Sequence, residues 1–393
     1  MKPTAATDLL YSDTERELAA ALADLLATRA APAEVLARTE KPETYDTDLW
    51  RTVAADIGIA GLLIPEALGG AGASYRELAT AAEHFGAAVA PIPYLGSAAV
   101  ATAALLSAAR SFAASADSGP VSPAAALLRQ LADGTTTMAL AVDSATRPGA
   151  GFPAAVRVTG SDGAGVARLR GSIRGVADAL PADLLLVPAE GVPNGLYLVE
   201  LTAPGVHRTP VVSIDMTRQL CDVSLDDAPG RQVAVGAAAD AAVDAGLAAG
   251  AAVLAAEQLG LAQRCLDMTV AYVKERRQFA RTIGSFQALK HRLADLWTTI
   301  ALARAASRYA AACLAADDPD APVAVALAKS ACSDAAVAAA QECVQMHGGI
   351  GFTWEHPAHL YLKRAKASSV AFGTAGAHRD SLAALVNLPG PEG

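Results

Sequence analysis

The sequence predicts a mainly α protein with a β domain in its middle, and three observations carry that prediction. Hydrophobic residues make up 53 % of the chain but aromatics only 5 %, and much of the apolar share is alanine, which favours helices and close helix packing. Apolar residues recur at helical spacing in the first and last thirds of the chain. Between them, from near Thr136, short apolar runs alternate with Gly, Pro and Asp at intervals of roughly 10–15 residues, the pattern of antiparallel strands and turns. At 393 residues the chain is long enough for two or three domains and a large core.

In order along the chain, an N-terminal helical domain is expected at 1–118, with helices over 14–29, 49–57, 75–86 and 96–114. A glycine-rich loop follows residues 64–66, and the Ser, Gly and Pro-rich stretch 114–123 reads as a connection. The middle β domain is placed at 136–232, with strands near 138–142, 154–158, 166–169, 184–187, 195–201, 206–212 and 219–225. The C-terminal domain, 235–393, reads as an antiparallel four-helix bundle with helices over 239–274, 285–316, 321–347 and about 376–386. Asp317-Asp318-Pro319-Asp320 is the turn between the second and third, and only 388–393 reads as a tail.

A net charge of −9 argues against general nucleic-acid binding. Residues 1–11 lack a basic start followed by an apolar run, so no export signal is expected. The most apolar region, 235–261, is Ala- and Gly-dominated and carries Asp240, Asp244 and Glu257, and reads as a packed helix rather than a membrane span. Five cysteines without CxxC spacing suit reduced thiols in a cytoplasm better than a disulfide or zinc framework. Glu355-His356 lacks further ligands at metal-binding spacing, so no metal site is expected.

Two stretches carry candidate chemistry. In residues 272–297, Tyr272, Arg276 and Phe279 recur at helical spacing, Ile283-Gly284 breaks the pattern, and Ser285 is placed as N-cap of a helix with the stripe Phe286, Leu289, Leu293, Leu296. The cluster Arg276-Arg277-Gln278-Phe279 suits a phosphate and an aromatic ring. In residues 345–355, a long helix runs into Gly348, Gly349 and Gly351, which let a ligand approach the backbone. Gln345 stands ready to bond a polar ligand edge, and a helix end followed by a turn is the plainer reading.

Together with 260–264 (GLAQR) and 64–72 (IPEALGGAG), these stretches resemble the acyl-CoA dehydrogenase family of flavoproteins over nearly the whole chain. The resemblance implies FAD held at a subunit interface, in a dimer or dimer of dimers. It implies α,β-dehydrogenation of an acyl-CoA thioester, with a carboxylate as base, hydride transfer to the flavin, and electron-transfer flavoprotein or a similar acceptor. By the same resemblance Arg276, Gln278, Phe279, Phe286 and Gln287, with Gln345, Met346, His347, Gly348 and Gly349, match positions that reach a neighbouring subunit's FAD.

The departures are selective. The segment matching the family's base reads Ala371-Phe372-Gly373-Thr374, and the alternative base position falls at Gly250; neither Phe372 nor Gly250 can take a proton. The two segments matching the flavin-ring cradle, 141–148 and 174–179, lack the usual side chains. The expectation is therefore a base-lacking subunit that completes a catalytic partner's FAD site, as in bacterial α2β2 relatives, some of which act on steroid side chains. A self-sufficient enzyme with a substitute base, and a non-redox CoA-thioester-binding or structural protein, are the two rival readings. Glu257 is read as a polar bundle residue, with a substitute base as its other reading. His347 is read either near FAD or as a helix cap, Trp354 as core or interface, and 363–366 as a solvated helix face or a CoA-phosphate contact. Asp215-Met216-Thr217-Arg218 is read as structural.

Overall fold

The computed structural model describes residues 8–115, 122–161 and 166–389. The helices are α1 (Asp13–Arg29), α2 (Pro32–Thr39), α3 (Thr47–Arg51), α4 (Tyr75–Ala88), α5 (Thr102–Ala113) and α6 (Pro123–Leu131), then α7 (Ala237–Glu275), α8 (Gln287–Ala315), α9 (Ala321–His347), α10 (Ala358–Val370) and α11 (Ala375–Leu385). The strands are β1 (Met138–Leu140), β2 (Val156–Ser161), β3 (Val166–Ala177), β4 (Leu184–Ala189), β5 (Gly195–Glu200), β6 (Val206–Val211), β7 (Leu220–Val235), β8 (Arg277–Gln278) and β9 (Arg281–Thr282). Mainly α with a central sheet is thus the observed class. Most of the expected connection at 114–123, and residues 390–393 of the expected tail, lie outside the described residues.

Two compact units emerge, one of residues 1–40, 75–90 and 252–393, the other of 41–74 and 91–251. In the first, α9 packs against α8, α10 and α11, and α1 packs on α4. Helix α10 is an element the periodicity missed, because its sequence mixes buried Leu360, Tyr361 and Arg364 with partly exposed Lys363 and exposed Lys366. Arg364 is 2 % exposed and 3.6 Å from Glu257, itself 2 % exposed, which corrects the solvated-face reading at Arg364 and Ala365, while Lys366 is exposed as expected, and gives Glu257 a structural partner.

Helices α4 and α7 cross through glycine. A Cβ on Gly86 would lie 2.0 Å from the Glu257 carbonyl oxygen, and one on Gly260 would lie 1.8 Å from that of Glu83. No other residue type fits either position.

The start of α1 carries two duties on one side chain. Ser12 Oγ accepts from the Glu15 N–H at 3.1 Å and Glu15 Oε2 accepts from the Ser12 N–H at 2.6 Å, a reciprocal capping box. The same carboxylate, fully buried, meets Arg308 at 2.6 Å and Arg76 at 3.0 Å. Arg308 also lies over the Tyr11 ring at 4.1 Å. Burial alone would raise the Glu15 carboxyl; the hydrogen bonds of Arg308, the Ser12 backbone and Arg76 outweigh it and hold it at about 2.

In the second unit the strands run β1-β4-β5-β7-β3-β2, with β6 also on β7. The pairs are antiparallel, as expected, except β1 with β4, which is parallel. That exception escaped the turn-spacing argument, which sees neighbouring runs only. One face buries Leu169, Ile173, Leu185, Val187 and Val223, while Arg157, Arg170 and Ser172 on the other are exposed. Asp178, 1 % exposed, closes the end of β3 by accepting from Tyr45 Oη at 2.8 Å and the Gly96 N–H at 2.9 Å. Asp215 accepts from the Thr217 N–H at 2.9 Å. Among the described residues, three helical stretches are long and apolar enough to span a membrane, but 61–72 % of each most apolar window is buried within the fold, as for packed helices.

Gly260→Ala is expected to destabilise the chain by on the order of 1–3 kcal/mol, read as a lower midpoint in urea unfolding; an unchanged midpoint would remove the glycine crossing from the account. Arg308→Met leaves Glu15 buried without its main partner and is expected to cost about 3–5 kcal/mol. Because the Glu15 carboxyl sits near 2 rather than its ordinary 4.5, its contribution is complete above pH 4.5 and disappears as pH falls through 2. Melting curves of wild type and Arg308→Met between pH 2 and pH 6 check this by converging at the acid end.

Candidate cofactor-binding surface

Helix α7 ends at Glu275, one residue before the cation cluster. The expected helical face of Tyr272, Arg276 and Phe279 therefore does not exist. A two-stranded hairpin replaces it, with Arg277 opposite Thr282 and Gln278 opposite Arg281. The Arg276 N–H donates to Tyr272 at 2.9 Å, and the Arg276 carbonyl accepts from the Ile283 N–H at 2.8 Å, closing its base. Phe279 and Ala280 form the tip with φ of +51° and +62°. Two positive φ values in a two-residue turn normally call for Asn-Gly, which is why the spacing argument missed the turn. Phe279 is 86 % exposed at that tip.

Phe286 occupies the N-cap position of α8, under the Arg281 guanidinium at 3.9 Å and edge-on to Phe279 at 6.1 Å. Ser285 is not the cap: its hydroxyl donates to the Thr282 carbonyl at 2.6 Å. Arg276, Gln278 and Gln287 are all exposed. The hairpin thus offers guanidinium groups, an amide and an aromatic ring outward together, fitting a phosphate beside a flat ring system.

The second segment ends α9. Gln345 is exposed, while Met346 and His347 are 6 % and 4 % exposed. Gly348 has φ of +62°, and a Cβ at either Gly348 or Gly349 would meet nothing within 4 Å, so both face open space. This turn can accept a bulky ligand against its backbone, so the residues present fit a dinucleotide cofactor. A contact that sequence reasoning missed joins the two motifs: the Tyr272 and His347 rings stack at 4.3 Å, and the His356 ring lies tilted 4.3 Å from that of His347. His347 Nδ1 lies 2.6 Å from the Cys343 carbonyl oxygen, so it is tied to its own helix end as well as placed beside the glycines. Trp354, expected in core or interface, is 66 % exposed with the Lys363 ammonium 4.1 Å above its ring.

Phe372 is 6 % exposed, at φ of +52°, followed by Gly373 at +98°. His378 Nε2 donates to the Phe372 carbonyl at 2.8 Å. Lys329 Nζ donates to Ser333 Oγ at 2.8 Å, the Ser368 carbonyl at 3.1 Å and the Gly373 carbonyl at 3.4 Å. Lys329 is fully buried, which pushes its amine down to about 8, and it stabilises the carbonyl end of α10. Both clamping residues went unread in the sequence; a lone Lys in the apolar face of α9 was the available signal. In the other unit, the two segments expected at a flavin ring do lie side by side, with the Ser144 N–H donating to the Gly175 carbonyl at 3.3 Å. Gly250 lies within α7.

Comparison with known proteins agrees with this layout. The acyl-CoA dehydrogenase N-terminal domain matches residues 12–111, and the acyl-CoA dehydrogenase C-terminal domain matches residues 240–386. The chain is 38 % identical over 348 residues to acyl-CoA dehydrogenase IpdE2 of Mycobacterium tuberculosis, covering 88 % of this chain and 89 % of that protein. The ChsE4-ChsE5 complex from Mycobacterium tuberculosis superposes with a TM-score of 0.81 at 28 % identity, over 98 % of this chain and 100 % of the other. A variant of the Tcur3481-Tcur3483 steroid acyl-CoA dehydrogenase superposes at 0.80 and 28 %, over 95 % of this chain and 98 % of the other.

Ala280 holds a left-handed conformation that costs a non-glycine residue about 1–2 kcal/mol. Ala280→Gly is expected to raise stability by about 0.5–1 kcal/mol, seen as a higher thermal midpoint, with no change in the hairpin register by NMR.

Proposed function

The chain belongs to the acyl-CoA dehydrogenase family, and from that premise we propose that it is the base-lacking subunit of a heteromeric, FAD-dependent enzyme. The observation that carries the reading is the contrast between two surfaces of one unit. The hairpin and the glycine turn keep exposed cofactor-binding groups, while the turn matching the family's base holds a buried phenylalanine.

In this reading Arg276 offsets phosphate charge, Gln278 and Gln345 bond polar edges, and Gly348 and Gly349 admit the cofactor to the backbone. Phe279 and Phe286 cover ring surface, and Gln287, Met346 and His347 complete the contact. When bound, FAD supplies the hydride acceptor; removal of the thioester α proton falls to a carboxylate of the partner subunit. The resemblance to two complexes whose names pair two components supports an α2β2 assembly, and one of them is named for steroid chemistry, which makes a bulky acyl-CoA the preferred substrate class. Electrons leave through electron-transfer flavoprotein or a similar acceptor, and five free buried cysteines fit a reducing cytoplasm. Glu257 does not revive a self-sufficient enzyme: it is buried against α4 and beside Arg364.

Co-purification with a catalytic family member is expected to give one flavin per two chains, and this chain alone none. A yellow homomer with one flavin per chain that bleaches on adding acyl-CoA sinks the proposal; no flavin under either condition favours a non-redox role. Arg276→Ala is expected to weaken FAD binding to the assembly by about 1.5–3 kcal/mol, measured by flavin release on dilution.

A further inference from the structure

The turn after α9 poses an electrostatic problem. A helix ends with its last carbonyls turned outward, the negative end of its dipole. An anionic cofactor brought to Gly348 and Gly349 approaches that end, and glycine gives it room but no charge. His347, the last residue of α9, stands there. The carbonyl oxygen of Cys343 can only accept, so Nδ1 of His347 carries a proton in either charge state. Nε2 has no partner among the described residues, although the side chain is 4 % exposed. On His356, Nδ1 accepts from the Ala358 N–H at 3.2 Å, so its lone pair is engaged and the next proton goes to His347.

We propose that His347 Nε2 takes up a proton and presents it to a phosphate of the cofactor at the Gly348–Gly349 turn, making flavin retention proton-linked. The inference rests on the reading that this turn faces a partner's FAD and adds to it the charge state under which the contact forms. The proton neutralises the carbonyl end of α9 and supplies a charge-assisted donor. The groups that face the imidazole are Cys343 of α9, with its Sγ 3.7 Å from Nδ1, Tyr272 of α7, and His356 ahead of α10; Cys265 of α7 meets the Cys343 thiol. Burial opposes the imidazolium, but the hydrogen bonds to the Cys343 side chain and backbone outweigh it and hold His347 above its ordinary 6.5. Burial and the neighbouring His347 push His356 down, so the stack takes one proton. The hydrogen bond from Cys265 lowers Cys343 against burial, which further favours a charged His347.

The sign follows. Retention is full below the His347 pKa and weakens as pH rises through it. In the assembled complex, FAD dissociation followed by flavin fluorescence is expected to become about five-fold tighter from the alkaline to the acid side of that pKa. The His347 imidazole, followed by NMR in the same complex, is expected to titrate above 6.5 and to move upward when FAD is added. His347→Gln keeps a neutral donor and is expected to hold flavin with a flat pH response. Flavin bound by the wild-type complex with no pH dependence, or an unchanged pH response in His347→Gln, overturns the inference and leaves the proposed function standing. A complex that binds no flavin at any pH overturns both.

Discussion

The crossing of α4 and α7 through Gly86 and Gly260 is the constraint on which the site-bearing unit depends. With each glycine meeting the other helix's carbonyl oxygen at what would be a Cβ distance near 2 Å, the two backbones touch. That contact sets where every side chain farther along α7 lies. It buries Glu257 where Arg364 reaches it at 3.6 Å. It also leaves Glu83 to take the Tyr11 hydroxyl at 2.7 Å and Arg304 at 3.2 Å. The same helix then delivers Tyr272 to the His347 ring and ends just before the hairpin. A methyl group at Gly260 would push on all of these at once.

The candidate surface depends on backbone strain as well as on charge. Phe279 and Ala280 sit in left-handed conformations at the hairpin tip, and Phe372 does so in the turn before α11. Such conformations persist only where surrounding structure over-determines them. At Phe372 the enforcing groups are His378 and the buried Lys329, which hold the two successive carbonyls of the turn. The turn therefore keeps a defined shape although its side chain has no proton to exchange. At the hairpin, the closure between Arg276 and Ile283 and the Arg281–Phe286 stack play the enforcing role.

Much of this was legible in the residues. Alanine-rich runs at helical spacing located α7, α8 and α9 to within a few residues, and the chain's turn signals located all seven strands of the sheet. The glycines of 348–351 and the cluster at 276–279 marked the surface because together they combine open backbone with guanidinium groups, an amide and an aromatic ring. Less was legible where two periodicities compete. The register from Tyr272 to Phe279 reads as a helix, yet the chain leaves α7 at Glu275 because the hairpin's pairing replaces the helical bonds. Ser285 looks like a cap by type, but its hydroxyl is taken by Thr282. Helix α10 was hidden by charged residues whose burial only a partner such as Glu257 makes tolerable.

What the sequence determined by itself is the set of local preferences: which stretches are helical, which alternate, where glycine frees the backbone, and which positions carry no base. Those follow from the covalent character of each side chain. What only the tertiary structure decided is pairing between distant residues: Tyr272 with His347, Lys329 with the carbonyls of Ser368 and Gly373, Glu15 with Arg308, and β1 beside β4. Each pairs groups far apart in the chain, so no local spacing encodes it. The charge state of His347 belongs to the same class, since it depends on Cys343, whose own thiol is hydrogen-bonded by Cys265 of another helix, while His356 beside it is held down.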